Sequence, residues 1–366
     1  MHKIRVGVVG LRHGMASVLE VCRDERFELV ALCSHARETY DYLLGAVPDK
    51  PLDSVTFTAP REQLIAQSRA LRDFSQVAFY DDYARLLAHP GLEAVILAVP
   101  INLNATYASA ALECGKHVMA SKPFAVNLVE GMRLLDVARR ARAAFVLNFE
   151  FRQSPLVRRV RAELDERHIG ELRMMWWNAF RMPFRPGYRQ RAVSGGAFVA
   201  EICHWINLFS LFNDEHPFSR LCSFGGLDVL GGQQDFEDNA VTLIEYENGV
   251  RASLNFSYFT DYPRHNLFGL VGANGKLVGD TDGAGRLQVY DPAHPGGREV
   301  VVDAAEHEGH LGFDLAHRRF ADIVLQGRRV NESEAGQGFE NLVTCLAAQR
   351  SLEQGRVVTR NELLAG

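Results

Sequence analysis

A β-branched run, Ile4–Val9 (Ile-Arg-Val-Gly-Val-Val), stops at Gly10 and gives way to an amphipathic stretch. A strand that ends in a glycine turn and feeds a helix is the opening unit of a parallel sheet, because parallel neighbours need a crossover and the crossover is usually a helix. The pattern then repeats. Further strands are expected at Phe27–Cys33, 93–99, 117–120 and 145–149, the second-last stopped by Lys122-Pro123 and the one before it by Pro100. Helical stretches at 82–88, 104–114 and 128–141 separate them. Near-continuous apolar strands alternating with helices predict a sheet covered on both faces.

The segment between Arg37 and Phe79 is long and holds Pro48, Pro51 and Pro60. It reads as a loop insertion over about 45–76 that includes a helix at Arg61–Leu71, a surface elaboration in preference to a lid. After Arg152 the texture changes. A helix at 155–167 leads through Gly170 into alternating segments at Leu172–Phe180, 221–224, 240–246, 252–259, 266–271 and 287–290. Turn signals at 247–249 (Glu-Asn-Gly), 273–275 (Ala-Asn-Gly) and 282–283 (Asp-Gly) predict a large, mostly antiparallel open sheet. An amphipathic stretch at 339–352 comes last. A chain of 366 residues has room for two domains, and the change of texture places them at 1–149 and 150–366 with a shared interface. The fold class expected is α/β followed by α+β.

Composition narrows the function. Apolar residues make up 47% and charged residues 23%, which excludes wholesale disorder. A net charge of −5, from 40 basic and 45 acidic side chains, offers no field for nucleic acid or anionic lipid. No apolar run approaches the ~18 residues of a membrane helix. Six cysteines without a C-x-x-C pair suggest buried thiols and no metal. The chain enters a strand at once, so a cytoplasmic protein is expected.

The turn after the first strand is where a Rossmann-type fold seats a dinucleotide pyrophosphate, on glycines and a helix N-terminus. Here it reads Gly10-Leu11-Arg12-His13-Gly14-Met15. Aligned on Gly10, the G-x-G-x-x-G fingerprint keeps only its first glycine; Arg12 takes the second place, Met15 the third, and Gly14 stands one residue early. A side chain at 12 either crowds the pyrophosphate or turns outward and pairs with a phosphate. An ordinary strand-to-helix turn is the competing reading. The second strand ends Ser34-His35-Ala36-Arg37, with no carboxylate until Glu38. A small polar residue and an arginine there favour NADP(H) over NAD(H).

More specific is the stretch from Tyr80 to Leu172: Tyr80-Asp81-Asp82-Tyr83, the strand to Pro100, 110–118 (Ala-Ala-Leu-Glu-Cys-Gly-Lys-His-Val), Ser121-Lys122-Pro123, Phe149-Glu150-Phe151-Arg152 with Pro155, and Ile169-Gly170-Glu171-Leu172. Its order and spacing resemble the glucose–fructose oxidoreductase / inositol dehydrogenase (Gfo/Idh/MocA) family, and the resemblance continues through Gly195-Gly196, His204, 250–275 and the tail to Leu352. It implies a Rossmann domain followed by an α+β domain whose open sheet forms a dimer or tetramer interface. It also implies hydride transfer to or from a carbinol of a sugar, inositol or related polyol with NAD(H) or NADP(H). The family lysine corresponds to Lys122, which orients substrate and tunes proton transfer. Ser121 replaces the family glutamate and Asn104 a common histidine, while Pro100 and Asn102 remain to line the cofactor.

Loss of a hydride from an alcohol carbon must be matched by loss of the hydroxyl proton, so the site needs a base. The family pattern Gly-Gly-x-x-x-Asp-x-x-x-His puts His204 in register, with Ala200 at the aspartate position, Glu201 one place later and Asn207 in place of another frequent aspartate. On an α-helix Glu201 and His204 are i,i+3 neighbours. A core histidine is the alternative, given the apolar residues around it. Arg152, Tyr188 and Arg191 are weaker candidates for the substrate side, and the basic, aromatic loop 180–189 suits an anionic ligand or an oligomer contact equally. His307 and His310, with Glu306 and Glu308, read as a polar loop in preference to a metal site. Departures at Arg12, Ser121, Ala200 and Asn207 keep open a dinucleotide-binding sensor or scaffold, and transient-oxidation chemistry (glycoside cleavage or epimerisation) with held cofactor is a further alternative.

Overall fold

The computed structural model describes residues 2–47, 52, 59–260, 265–281, 285–302 and 312–365. His307 and His310, the turn at 282–283 and much of the insertion lie outside them. The chain divides into two compact units. One comprises Met1–Ala125, Val129–Asn148 and Glu308–Gly338; the other comprises Val126–Leu128, Phe149–His307 and Phe339–Gly366. The return of the chain to the first unit after 308 has no counterpart in the single boundary read from the sequence.

The first unit is built on six strands: β1 (Ile4–Val9), β2 (Phe27–Cys33), β3 (Ala78–Tyr80), β4 (Ala94–Leu97), β5 (His117–Ser121) and β6 (Phe145–Asn148). They run parallel in the order β3-β2-β1-β4-β5-β6. The order reverses between β1 and β4, which creates the crevice where open α/β sheets take their ligands. Ile4, Val6 and Val8 on β1 are fully buried against Met15, Val18 and Leu19 of the helix Met15–Arg23. Leu64 and Ile65 of the helix Arg61–Leu71 join the same core, so this part of the insertion is core and not elaboration. The helix Phe313–Leu325, unread from the sequence, adds Phe320, whose ring stacks on Phe27 with centroids 6.4 Å apart. Full burial of such a ring stabilises the unit by about 1.5–3 kcal/mol. Asn331 secures the segment: its side-chain amide donates to the Ala138 and Ala143 carbonyls and its Oδ1 accepts from Phe145 N, each at 2.9 Å.

Nine strands form the sheet of the second unit: β7 (Leu172–Phe180), β8 (Phe218–Gly226), β9 (Asn239–Tyr246), β10 (Arg251–Ser257), β11 (His265–Gly272), β12 (Lys276–Asp280), β13 (Arg286–Asp291), β14 (His294–Val300) and β15 (Val358–Thr359). Their order is β14-β13-β12-β11-β7-β10-β9-β8-β15. Only β7 and β10 pair in parallel; the other pairs are antiparallel, as the hairpin signals predicted. On the inner face, Trp177 of β7 is sandwiched between Trp205 and Phe268, each with centroids 4.7 Å away and planes within 17°. This stack docks the helix Cys203–Phe212 on the sheet and sets where His204 stands.

The stretch Arg191–Phe212 is long and apolar enough to cross a membrane, a length the sequence reading overlooked, yet 83% of its apolar window is buried inside the fold. It is the core helix of the second unit. Of the six thiols, Cys33, Cys203 and Cys345 are buried as expected, whereas Cys114 is exposed.

Candidate functional site

All the residues expected to hold a dinucleotide belong to the first unit, at the C-terminal ends of its strands. Gly10 takes φ +90°, a left-handed conformation that costs glycine little, and its N–H donates to the Cys33 carbonyl at 2.8 Å. The turn is thereby tied to the end of β2. A Cβ on Gly10 would collide with the Ala98 carbonyl, and one on Gly14 with the Gly10 carbonyl. Gly14 therefore allows the close packing that the fingerprint's third glycine supplies, one residue early. Leu11 and Met15 are buried in the core, so Leu11 offers only its backbone and Met15 does not fill the crevice. The Arg12 side chain is exposed and His13 half-buried. The helix that follows points its N-terminus, with amides and positive dipole, at the turn. These features fit a pyrophosphate.

Beyond β2, the Ser34 N–H donates to the Tyr80 carbonyl at 3.0 Å. The Arg37 guanidinium lies 5.2 Å over the Tyr40 ring and 5.4 Å over Phe79, and its Nε donates to Asp41 at 3.0 Å. Pro100 is exposed at the end of β4 and opens the 3₁₀ turn Ile101–Leu103, on which Asn102 is half-buried. Ser121 closes β5, and its hydroxyl donates to the Leu97 carbonyl at 2.9 Å. The serine thus ties β5 to β4 where the family glutamate is missing. Lys122 is half-buried in the next position, its N–H donating to Asn148 O at 3.3 Å. Asn104, buried at the start of the helix Asn104–Glu113, donates from its side-chain amide to the carbonyls of Ser121 and, at 2.7 Å, of Pro123. Those carbonyls bracket Lys122. Sequence reading noted Asn104 as a departure and missed this hold.

The remaining candidates belong to the second unit. Gly195 and Gly196 both take positive φ, and the chain enters a π-helical turn at Phe198–Ile202 before the α-helix Cys203–Phe212. A π turn rotates side chains less per residue than an α turn, so the i,i+3 spacing expected for Glu201 and His204 does not carry over unchanged. Glu201 is half-buried on that turn. His204 is 3% exposed. Phe149 and Phe151 make T-shaped contacts with its ring, with centroids 6.0 and 4.6 Å away and planes near perpendicular. The Glu150 carboxylate, between those two phenylalanines, lies 3.9 Å from His204 Nε2. Glu150 stood inside a quoted motif, yet nothing local in the sequence signals that it meets His204.

Arg152 and Arg191 are engaged inside the fold. Arg152 pairs with Glu215 and donates to Asn207 at 3.4 Å, so Asn207 holds an arginine where the family pattern has an aspartate. Arg191 pairs at 2.7 Å with Glu237, a buried carboxylate whose acidity burial weakens, and at 3.3 Å with Glu353. Glu237 also accepts from Phe198 N at 3.4 Å, which anchors the start of the π turn. Tyr188, on the 3₁₀ turn Pro186–Tyr188, is 37% exposed. Among the described residues no group of three or more His, Cys, Asp or Glu is placed to hold a metal ion.

Comparison with known proteins identifies the fold and the family. Residues 4–149 match the model of the oxidoreductase family with an NAD-binding Rossmann fold, and residues 157–278 the Gfo/Idh/MocA C-terminal domain. The dTDP-3,4-didehydro-2,6-dideoxy-α-D-glucose 3-reductase of Streptomyces violaceoruber is 31% identical over 312 residues, covering 81% of this chain and 82% of the relative. Two solved structures share the fold. A 3-ketoreductase from Actinomadura kijaniata, in complex with NADP and TDP-benzene, has a TM-score of 0.74 at 21% identity and covers 96% of this chain and 98% of its own. GenD2 from gentamicin A biosynthesis, in complex with NAD, has a TM-score of 0.77 at 18% identity and covers 98% of this chain and 97% of its own. The motifs, the two sheets and these matches agree: the chain belongs to the Gfo/Idh/MocA oxidoreductase family.

Proposed function

We propose that the protein transfers a hydride to or from a carbinol or carbonyl carbon of a sugar, inositol or related polyol, with NADP(H) preferred over NAD(H). The observation that carries this reading is the glycine turn at the strand-order reversal, closed by Gly10 and Gly14, with Lys122 on the same sheet edge. A sugar 3-reductase 31% identical supports the substrate class. The cofactor would supply the hydride acceptor or donor. Gly10, Leu11, Arg12, His13 and Gly14 would seat its pyrophosphate; Ser34 and Arg37 its 2′-phosphate; Pro100, Asn102, Ser121 and Lys122 its nicotinamide end.

Lys122 would orient the reacting oxygen and stabilise its alkoxide character, because an ammonium aimed at developing negative charge lowers the barrier. His204 would exchange the proton, and Glu201 is the other carboxylate candidate on its helix. Tyr188 would face substrate, whereas Arg152 and Arg191 are committed to ion pairs within the second unit. A second copy of the chain is the proposed partner, through the open face of the nine-stranded sheet.

Nicotinamide fluorescence titration of the nucleotide-free protein should show micromolar binding, tighter for NADPH than for NADH. Steady-state assays with keto-sugars and polyols should then show net cofactor turnover, lowered about 10²–10⁴-fold by Lys122→Ala and by His204→Ala. Unchanged turnover in either variant removes its assigned role. Binding without turnover across the panel selects a sensor, and product without net cofactor consumption selects transient oxidation. Binding of neither nucleotide ends the redox reading.

A further inference from the structure

From the placement of Glu150 beside His204 in the second unit, we propose that Glu150 is the positioning carboxylate of His204, supplied from the turn after β6 instead of from the histidine's own helix. The proposal rests on the oxidoreductase reading for its consequence in catalysis, but not for the pairing itself. The family pattern places an acid four residues before the histidine, and here that position is Ala200, a buried alanine. The 3₁₀ turn Glu150–Gln153 instead brings Glu150 to 3.9 Å from His204 Nε2. Phe149 and Phe151, its chain neighbours, pack in T-shaped contact with the same imidazole. One short segment therefore supplies both the walls and the charge.

The physical consequence follows from burial. The His204 side chain is 3% exposed and that of Glu150 only 15%, so their attraction is weakly screened. A carboxylate within about 4–6 Å favours the imidazolium over the neutral ring. It also favours a proton on Nε2, the nitrogen nearer the carboxylate. Other charged groups on these elements are Arg152, which is engaged by Glu215, and Glu201, on the π turn before His204. The aromatic neighbours Phe149, Phe151 and Trp205 carry no charge. Glu150 is thus a positioning residue: it acts on the substrate only through the ring that it holds.

Two measurements on the full-length protein test this, and they fail separately. In the first, histidine ring signals are followed by NMR across pH, with His204 assigned from the spectrum of His204→Gln. Glu150→Gln should move the His204 titration to lower pH by about one unit. Glu150→Asp, which keeps the charge on a shorter stem, should restore most of that shift. An unmoved titration in a folded Glu150→Gln protein overturns the pairing whatever the protein catalyses. In the second, the pH limb of kcat/KM should move in the same direction in Glu150→Gln, with kcat reduced more than KM is raised. A titration that moves while the kcat/KM limb stays in place retains the pairing and overturns its part in catalysis. Far-ultraviolet circular dichroism and unchanged ring signals of the remaining histidines report that each variant is folded. A wild type that binds no nucleotide and turns over nothing defeats the oxidoreductase reading, and the NMR result still decides the pairing.

Discussion

The proposed preference for NADP(H) turns on Arg37. Its side chain is 59% exposed, rests on the faces of Tyr40 and Phe79 and is steadied by Asp41, so the guanidinium is held in place with its outer face open. A 2′-phosphate would form charge-assisted hydrogen bonds with it, each worth about 1.5–3 kcal/mol. Arg37→Ala should weaken NADPH binding about 10–100-fold and leave NADH within about twofold, as read by fluorescence titration. An equal loss for both nucleotides would show that Arg37 only shapes the loop. The glycine turn shows how far single residues were legible. Arg12 and Met15 look like obstacles in the sequence, because a fingerprint says nothing of where a side chain turns. Met15 is buried in the core and so leaves the crevice clear, while Arg12 is exposed to solvent. Lys122 and His204 are singled out by the family resemblance and its register; Asn104 and Glu150 are not, because their contacts join segments distant along the chain.

Elements follow the same division. β1, β2, β7 and the helix Arg61–Leu71 agree with the sequence reading end to end, since β-branched or amphipathic runs bounded by turns define them locally. β3, β12 and β14 were missed: three and five residues for the first two, and a Pro-Gly-Gly segment for the third, formed by pairing with β13 and not by propensity. The helix Phe313–Leu325 was also missed, and with Met15–Arg23 it encloses a titratable pair. Burial raises the Glu20 carboxyl to about 7, with Asp314 adding to the rise and Arg23, 3.2 Å away, opposing it. Burial likewise depresses His317, whose Nδ1 donates to the Phe313 carbonyl at 2.8 Å, to about 4. An acid raised on folding binds its proton more tightly in the folded state, so Glu20 costs stability increasingly between pH 4.5 and 7. His317 works the other way: its contribution is complete above pH 6.5 and is lost as pH falls towards 4. Glu20→Gln should therefore stabilise this helix pair by up to about 3 kcal/mol at pH 8 and by little below pH 4.5. Hydrogen exchange of the Met15–Arg23 amides measures it. A gain that is equal at both pH values would attribute the effect to packing.

At the scale of the whole molecule, the outer face of the nine-stranded sheet is the feature a lone chain does not account for. Val241 and Leu243 on β9 are 50% and 55% exposed, Phe224 on β8 62%, and Met174 on β7 54%. The strand registers, Phe224 opposite Val241 and Arg251 opposite both Glu245 and Met174, put all four on one face. Asn178 and Asn255 join across the middle at 2.7 Å. Charge gathers at one end, where Glu245 pairs with Arg220 at 2.5 Å and Arg251 at 3.2 Å. An apolar and amide-rich centre with charges at the margin is the composition of a protein–protein contact, and a twofold axis lets one such face meet its own copy. Stable contacts of this kind bury about 1,200–2,000 Å² in total. Sedimentation of the wild type should show a dimer or tetramer. Leu243→Lys combined with Val241→Lys should shift it to monomer, since four lysines brought together at a twofold contact lose solvation and repel. NADPH binding should survive, because the residues proposed for it belong to the other unit. A wild type that sediments as a monomer removes the proposal, and an oligomer indifferent to both lysines assigns assembly to another surface.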